Sequence, residues 1–133
     1  ARGAYLAFPR EASAVSAWLI AFWVTVGVEV PVCLWLFRRD DVLVGWSQMK
    51  AIMICVGASL VTHPFVWFSF PAWGRHFDWS YVEMCLCAET YAVAIEASYY
   101  AWWGLKRTWL VSLVANASSV AVGLTLRFFF GVP

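Results

Sequence analysis

The sequence predicts an all-α fold, a four-helix transmembrane bundle with short loops, and its composition is the first observation that does so. The chain has 133 residues, of which 63% are hydrophobic and only 13% are charged, and its mean hydropathy is +0.72. Soluble domains usually carry about a quarter charged residues. So few charges cannot cover a surface that faces water, and the chain is therefore expected to lie in a membrane.

The second observation is that the apolar residues fall into runs between charge clusters, each long enough for the roughly 20 residues that cross a bilayer. The four predicted spans are, in chain order, about 14–37, 49–70, 79–105 and 108–130. The first run stops at "RRDD", residues 38–41, and the third stops at Lys106 and Arg107. No internal repeat or long linker divides the chain, so residues 1–133 are predicted to form a single transmembrane domain.

The residues at the ends of these spans support the same picture. Indole rings favour the headgroup layer, and six tryptophans lie near predicted span ends: Trp46, Trp73, Trp79, Trp102, Trp103 and Trp109. Five basic residues lie on the side of the membrane that holds the connections between spans one and two and between spans three and four, and four lie on the opposite side. Because basic residues are enriched on the cytoplasmic side, the side with five is predicted to be cytoplasmic. The chain opens on Ala1, and no signal-peptide pattern precedes the first span.

Polar residues deep inside the spans are the candidate functional residues. Counted at a rise of about 1.5 Å per residue, Glu29, Glu96 and Asn116 each lie about 12–14 Å from the same membrane face. The same count places His63 about 20 Å and Glu89 about 24 Å from that face. The sequence therefore predicts two polar layers, one with Glu29, Glu96 and Asn116, and one with His63 and Glu89.

Helical phase adds detail to the third span. Glu89 and Glu96 are seven residues apart and share a face, and a tyrosine three or four residues on, such as Tyr99, can reach Glu96. Because burial disfavours a charged carboxylate, we expect the buried glutamates to be protonated, with His63 as the partner of one of them. On the fourth span, Ser112, Asn116, Ser119 and Gly123 form a stripe that predicts a small, polar helix interface.

Two interpretations of these polar residues remain open. They form either a buried hydrogen-bond network that holds the helices in register, or a functional site for protons, a cation or a polar headgroup. Pro31 and Pro64 favour the second interpretation, because a proline inside a helix frees a backbone carbonyl close to Glu29 and His63. His63, Glu89 and Glu96 are also candidate metal ligands, and a haem or pigment at His63 is a weaker alternative. The sequence itself requires no cofactor.

Four short stretches together resemble a known type of protein: "GVEVP" (27–31), "VTHPFVWF" (61–68), "EASYYAWW" (96–103) and "LVANASSVAVGL" (113–124). They are similar to a family of small polytopic prokaryotic integral membrane proteins. In that family a Glu-x-Pro helix precedes a Thr-His-Pro helix, a Glu-rich helix and an Asn-containing helix. The resemblance implies a four-helix fold in a prokaryotic cytoplasmic membrane, and no established activity.

Three functions are consistent with this sequence. The first is an accessory subunit of a larger membrane protein complex, with a polar Glu/His/Asn core inside the membrane. The second is a small transporter or relay for protons or a cation. The third is an intramembrane enzyme that uses acid–base or metal chemistry, which no nucleophile motif, HExxH sequence or phosphate-binding loop supports. The expected partners are the lipid bilayer and other membrane subunits, and not nucleic acid, since the net charge is only +1.

Overall fold

A computed structural model describes residues 11–39, 43 and 45–131 of the chain. The helices are α1 (Glu11–Arg39), α2 (Gln48–Pro64), α3 (Phe70–His76), α4 (Tyr81–Trp102) and α5 (Thr108–Phe130). A π-helical turn, Phe65–Ser69, joins α2 to α3 in one continuous rod directly after His63 and Pro64. With this rod counted once, the described residues form four helices and no strand, which confirms the predicted all-α helical bundle.

The four helical rods pack in a ring. α1 packs against α2 and α5, and α4 packs against the same two helices, so that α1 lies diagonally opposite α4. Short connections make neighbouring helices antiparallel. Residues 45–47 and 103–107 therefore lie at one end of the bundle, which we call the double-loop end. Residues 77–80 lie at the opposite, single-loop end.

Three of the four rods are long and apolar enough to cross a membrane: Ala14–Arg39, Gln48–His76 and Thr108–Phe130. The remaining helix, α4, carries Glu83, Glu89 and Glu96 and is not among them. The outer surface of the bundle is rich in exposed apolar side chains, including Trp23, Phe68, Leu86 and Leu113. Such a surface is compatible with contact to a lipid bilayer.

Small side chains line the interior where the helices meet. Ala58, Ala92, Ala97 and Ala115 are all buried, and small residues at helix interfaces allow the backbones to approach closely. Larger side chains fill the core towards the double-loop end. There the rings of Phe37 and Tyr100 meet edge to face at 5.4 Å, and the Tyr100 hydroxyl lies 3.4 Å from Cys33 Sγ across the diagonal between α1 and α4.

The helix ends are held by caps and by cation–π contacts. Ser80 and Glu83 form a capping box at the start of α4, which satisfies backbone N–H groups that have no partner within the helix. At the double-loop end, Lys50 Nζ lies 4.4 Å from the ring of Trp46 and 5.9 Å from the ring of Trp103. This lysine therefore links the two connections at that end.

The connection between α4 and α5 is a tight turn that uses left-handed backbone conformations. Gly104 has φ of 75° and Arg107 has φ of 53°. Glycine adopts this conformation without steric cost, whereas the Cβ atom of Arg107 makes it an uncommon conformation for that residue. Helix α4 ends at Trp102 and α5 begins at Thr108, so the turn consists of the five residues 103–107.

The close approach of α2 to α4 yields a first prediction. A Cβ atom at Gly57 would lie 2.6 Å from Oη of Tyr99. Because only the end of the Tyr99 side chain has to move, Gly57→Ala should lower the free energy of unfolding by about 1 kcal/mol relative to Gly27→Ala, the low end of the range for overpacking. Unfolding of the purified protein in mixed micelles measures this change.

Two variants make this prediction specific. Adding Tyr99→Phe to Gly57→Ala removes the clashing hydroxyl and should restore most of the lost stability. Gly27→Ala is the control, because a Cβ atom there meets nothing within 4 Å. Equal effects of Gly57→Ala and Gly27→Ala would contradict the described packing.

Candidate functional site

The carboxyl group of Glu29 lies inside the bundle and joins three helices. Glu29 is on α1 and is 3% exposed. Its Oε2 accepts a hydrogen bond of 2.6 Å from the Ser59 hydroxyl of α2, and its Oε1 accepts one of 2.8 Å from the Ser119 hydroxyl of α5. Each carboxyl oxygen of Glu29 thus has a donor on a different neighbouring helix.

Glu96 of α4 is buried in the same way, with 2% of its surface exposed. Its Oε1 accepts from the Thr62 hydroxyl of α2 at 2.9 Å. Its Oε2 accepts from Asn116 Nδ2 at 2.6 Å and from the Ser112 hydroxyl at 3.2 Å, both on α5. The two carboxyl groups therefore take their donors from the same two helices, α2 and α5.

The two glutamates belong to one hydrogen-bonded group. We call it the carboxyl network, and its members are Glu29, Ser59, Thr62, Glu96, Ser112, Asn116 and Ser119. On α5 the donors follow a helical spacing of i, i+4 and i+7, so they lie on one face of that helix. Ser119 connects the two halves, because its hydroxyl lies 2.8 Å from Glu29 Oε1 and 2.9 Å from the backbone oxygen of Asn116.

The geometry of the carboxyl network accommodates each glutamate with or without its proton. Several hydroxyl groups that contact a carboxyl oxygen also have a backbone carbonyl within reach: Asn116 O for Ser119, Val93 O for Ser112 at 3.1 Å, and Ala58 O for Thr62 at 3.3 Å. A hydroxyl can donate to a carboxylate, or accept from a protonated carboxyl group while it donates to the carbonyl. Rotation of one hydroxyl group can therefore exchange the two arrangements.

His63 lies apart from the carboxyl network, among aromatic rings. Its Nε2 is 3.5 Å from the Thr25 hydroxyl of α1. The centroid of its ring is 5.4 Å from that of Phe22 and 6.2 Å from those of Trp18 and Trp67. His63 Nδ1 is buried without a hydrogen-bond partner in the described residues.

The structure brings some of the predicted site residues together and leaves others apart. Glu96 and Asn116 are directly bonded, and Glu29 joins them through Ser119. Glu89 is half-buried, and no described hydrogen bond connects it to His63, whose polar contact is with α1 instead. Tyr99 does not reach Glu96 within the described contacts, since its hydroxyl packs against Gly57.

Two donors of the carboxyl network, Ser59 and Thr62, were not among the candidate residues from the sequence. They precede the conspicuous His63 and are ordinary small residues in an apolar run. Ser59 and Thr62 are three residues apart and therefore lie on one face of α2, close to the small residue Ala58. This pattern of small and polar residues indicates a polar helix interface.

The described residues contain no cluster of three or more His, Cys, Asp or Glu side chains that could hold a metal ion. His63, Glu89 and Glu96 therefore do not converge on one metal position. Comparisons with protein-family models, with curated proteins and with solved structures find no match to this chain.

The hydrogen bond from Thr62 to Glu96 yields a second prediction. Thr62→Val keeps the side-chain shape but removes the donor, so we expect a loss of about 0.6–1.7 kcal/mol in the free energy of unfolding, the range for such bonds between membrane helices. Unfolding in mixed micelles again provides the measurement.

Thr90→Val is the matched control, because the Thr90 hydroxyl is exposed and donates within its own helix to Leu86 O at 2.7 Å. That variant should unfold like the original protein. A Thr62→Val protein as stable as the Thr90→Val protein would show that the bond to Glu96 does not stabilise the bundle.

Proposed function

We propose that this protein is an integral membrane protein that serves as an accessory subunit of a larger membrane protein complex. The observation that carries the proposal is the contrast between its inside and its outside. The carboxyl groups of Glu29 and Glu96 are bonded to donors on neighbouring helices, whereas the exterior is apolar and aromatic. Such a bundle pairs its buried polar groups internally and presents an outer surface suited to other hydrophobic surfaces.

The exposed aromatic residues supply contact surface at both ends of the bundle. Trp35, Trp102 and Trp109 are exposed towards the double-loop end, and Trp23 and Trp73 towards the other. Tryptophan is enriched both at the headgroup layer of membranes and at protein–protein interfaces. The connections 40–47, 77–80 and 103–107 are short, which favours a role in assembly over one in soluble catalysis.

The proposed location is a prokaryotic cytoplasmic membrane. The three apolar rods support residence in a membrane, and the sequence resemblance described above supports the prokaryotic assignment. In this arrangement α4 also crosses the bilayer, with Glu96 covered by α2 and α5 and with Glu83 at the end of the helix, where it caps its first turn.

Purification from native membranes tests this proposal. A tagged chain extracted in a mild detergent should co-purify with defined membrane proteins in fixed proportion, and the same species should appear after chemical crosslinking in the intact membrane. Recovery of the chain as a single, monodisperse species from both procedures would contradict the proposal.

The carboxyl network favours a second candidate function, the transport or relay of protons or a cation. The two buried carboxyl groups take separate donors from the same two helices, α2 and α5. Ser119, Ser112 and Thr62 each also have a second acceptor within hydrogen-bond distance. A group that holds a proton in either of two arrangements is what a relay inside a membrane requires.

Flux measurements in reconstituted vesicles test this second function. The original protein should carry protons or a cation, and Glu96→Gln should abolish the flux, since the amide keeps the shape of the side chain but cannot release a proton. Glu83→Gln is the control, because Glu83 is an exposed capping residue whose acceptor oxygen is retained. Flux that is equal in the Glu96→Gln and Glu83→Gln proteins would contradict a relay through Glu96.

A further inference from the structure

Two buried nitrogen atoms on neighbouring rings have no hydrogen-bond partner in the described residues: Nδ1 of His63 and Nε1 of Trp18. His63 is only 9% exposed, and the centroids of the two rings are 6.2 Å apart. A buried polar group without a hydrogen-bond partner destabilises the folded protein, because it has given up its hydrogen bonds to water. Two such groups at adjacent positions indicate a site that receives a polar atom from another molecule.

The partner of the other imidazole nitrogen indicates what kind of atom fits. Thr25 Oγ1 lies 3.5 Å from Nε2. When the imidazole carries its proton on Nδ1, the Thr25 hydroxyl donates its hydrogen to Nε2. When the imidazole carries its proton on Nε2, the Thr25 hydroxyl hydrogen has no acceptor among the described contacts. The first tautomer is therefore favoured. His63 Nδ1 and Trp18 Nε1 are then both donors. Two neighbouring donors are complementary to an oxygen that only accepts.

The surroundings of these donors are aromatic. Phe22 is buried beside His63, at 5.4 Å between ring centroids, and the ring of Trp67 lies nearly parallel to the imidazole, with an angle of 11° between their planes. A carbonyl oxygen attached to a flat or apolar body suits two donors in such a setting, because the rest of the ligand can pack against the rings.

The same cluster reaches the outer surface of the bundle. The ring of Phe68 is 5.9 Å from that of Trp18, and Phe68 and the neighbouring Leu19 are both exposed. Trp67 and Phe68 belong to the π-helical turn, a type of helix interruption that is frequent at functional sites. The aromatic cluster thus extends from the two buried nitrogen atoms to the outer surface between α1 and this turn.

We propose that Trp18 and His63 bind the carbonyl oxygen of a hydrophobic ligand that enters from the bilayer. Two membrane components present this chemistry, a quinone ring and the ester group of a phospholipid. Trp18 Nε1–H and His63 Nδ1–H donate to the carbonyl oxygen, Thr25 orients the imidazole, and the rings of Phe22, Trp67 and Phe68 contact the body of the ligand. This site is separate from the carboxyl network and does not depend on the proposed function.

Binding to the protein in vesicles tests the proposal with two probes. A short-chain benzoquinone labelled with ¹³C at its carbonyl groups is added in one arm, and a diacyl phospholipid labelled at its ester carbonyl groups forms part of the vesicle in the other. Infrared spectroscopy should show a carbonyl band shifted to lower frequency for one of the two probes, relative to vesicles without protein. The arm that shows the shift identifies the source of the carbonyl group.

Two substitutions assign that band to the site. Trp18→Phe and His63→Phe keep an aromatic ring but remove one donor each, so each should reduce the affinity for the shifted probe by about 3- to 10-fold, as expected for the loss of one hydrogen bond. Trp109→Phe is the control, because Trp109 is exposed at the start of α5, at the opposite end of the bundle. It should bind the probe like the original protein.

Three results would overturn the proposal. The first is the absence of a shifted carbonyl band in both arms, which would leave water as the partner of the two nitrogen atoms. The second is tighter binding of the reduced hydroquinone than of the quinone, since its hydroxyl groups would then match a donor and an acceptor. The third is equal affinity in the Trp18→Phe, His63→Phe and Trp109→Phe proteins.

Discussion

The burial of two carboxyl groups between apolar helices is the constraint on which the rest of this bundle depends. An acidic side chain at mid-membrane depth costs about 2.5–3.5 kcal/mol on insertion scales, and an unpaired one inside a protein also loses its hydrogen bonds to water. The neighbouring helices must therefore bring donors to Glu29 and Glu96. The hydroxyl and amide groups of α2 and α5 do so, and they thereby determine which faces of these helices point inwards.

The packing of the backbone follows from the same constraint. Hydroxyl groups on short side chains reach a neighbouring helix only if the two backbones are close, and the buried alanines at positions 58, 92 and 115 allow that approach. Small residues and polar residues thus act together, since the first permit the distance that the second require. Many of the large aromatic side chains, such as Trp23 and Phe68, are exposed on the outside of the bundle, which is compatible with contact to a lipid bilayer.

The fold class and the common level of Glu96 and Asn116 could be predicted from the sequence, because charge clusters delimit apolar runs and the rise per residue converts position into depth. This reasoning placed Glu96 and Asn116 at one level, where the structure shows them bonded. The inward face of α5 could be predicted as well, since the stripe of Ser112, Asn116 and Ser119 supplies donors to Glu96 and Glu29. The rotation of α2 and α4 about their axes could not be predicted, since it depends on packing with neighbours. His63 therefore faces Thr25 and aromatic rings, and Tyr99 faces Gly57, although depth and spacing alone favoured glutamate partners for both.

The turn at residues 103–107 has a mechanical consequence. Its two left-handed residues, Gly104 and Arg107, determine the angular setting with which α5 leaves α4. One residue inserted into the first turn of α5 would rotate Asn116 and Ser119 by about 100° relative to this turn, because a helix has 3.6 residues per turn. The two side chains would then point away from Glu96 and Glu29, so the number of helical residues between the turn and Asn116 sets the alignment of an interior two helical turns further along the chain.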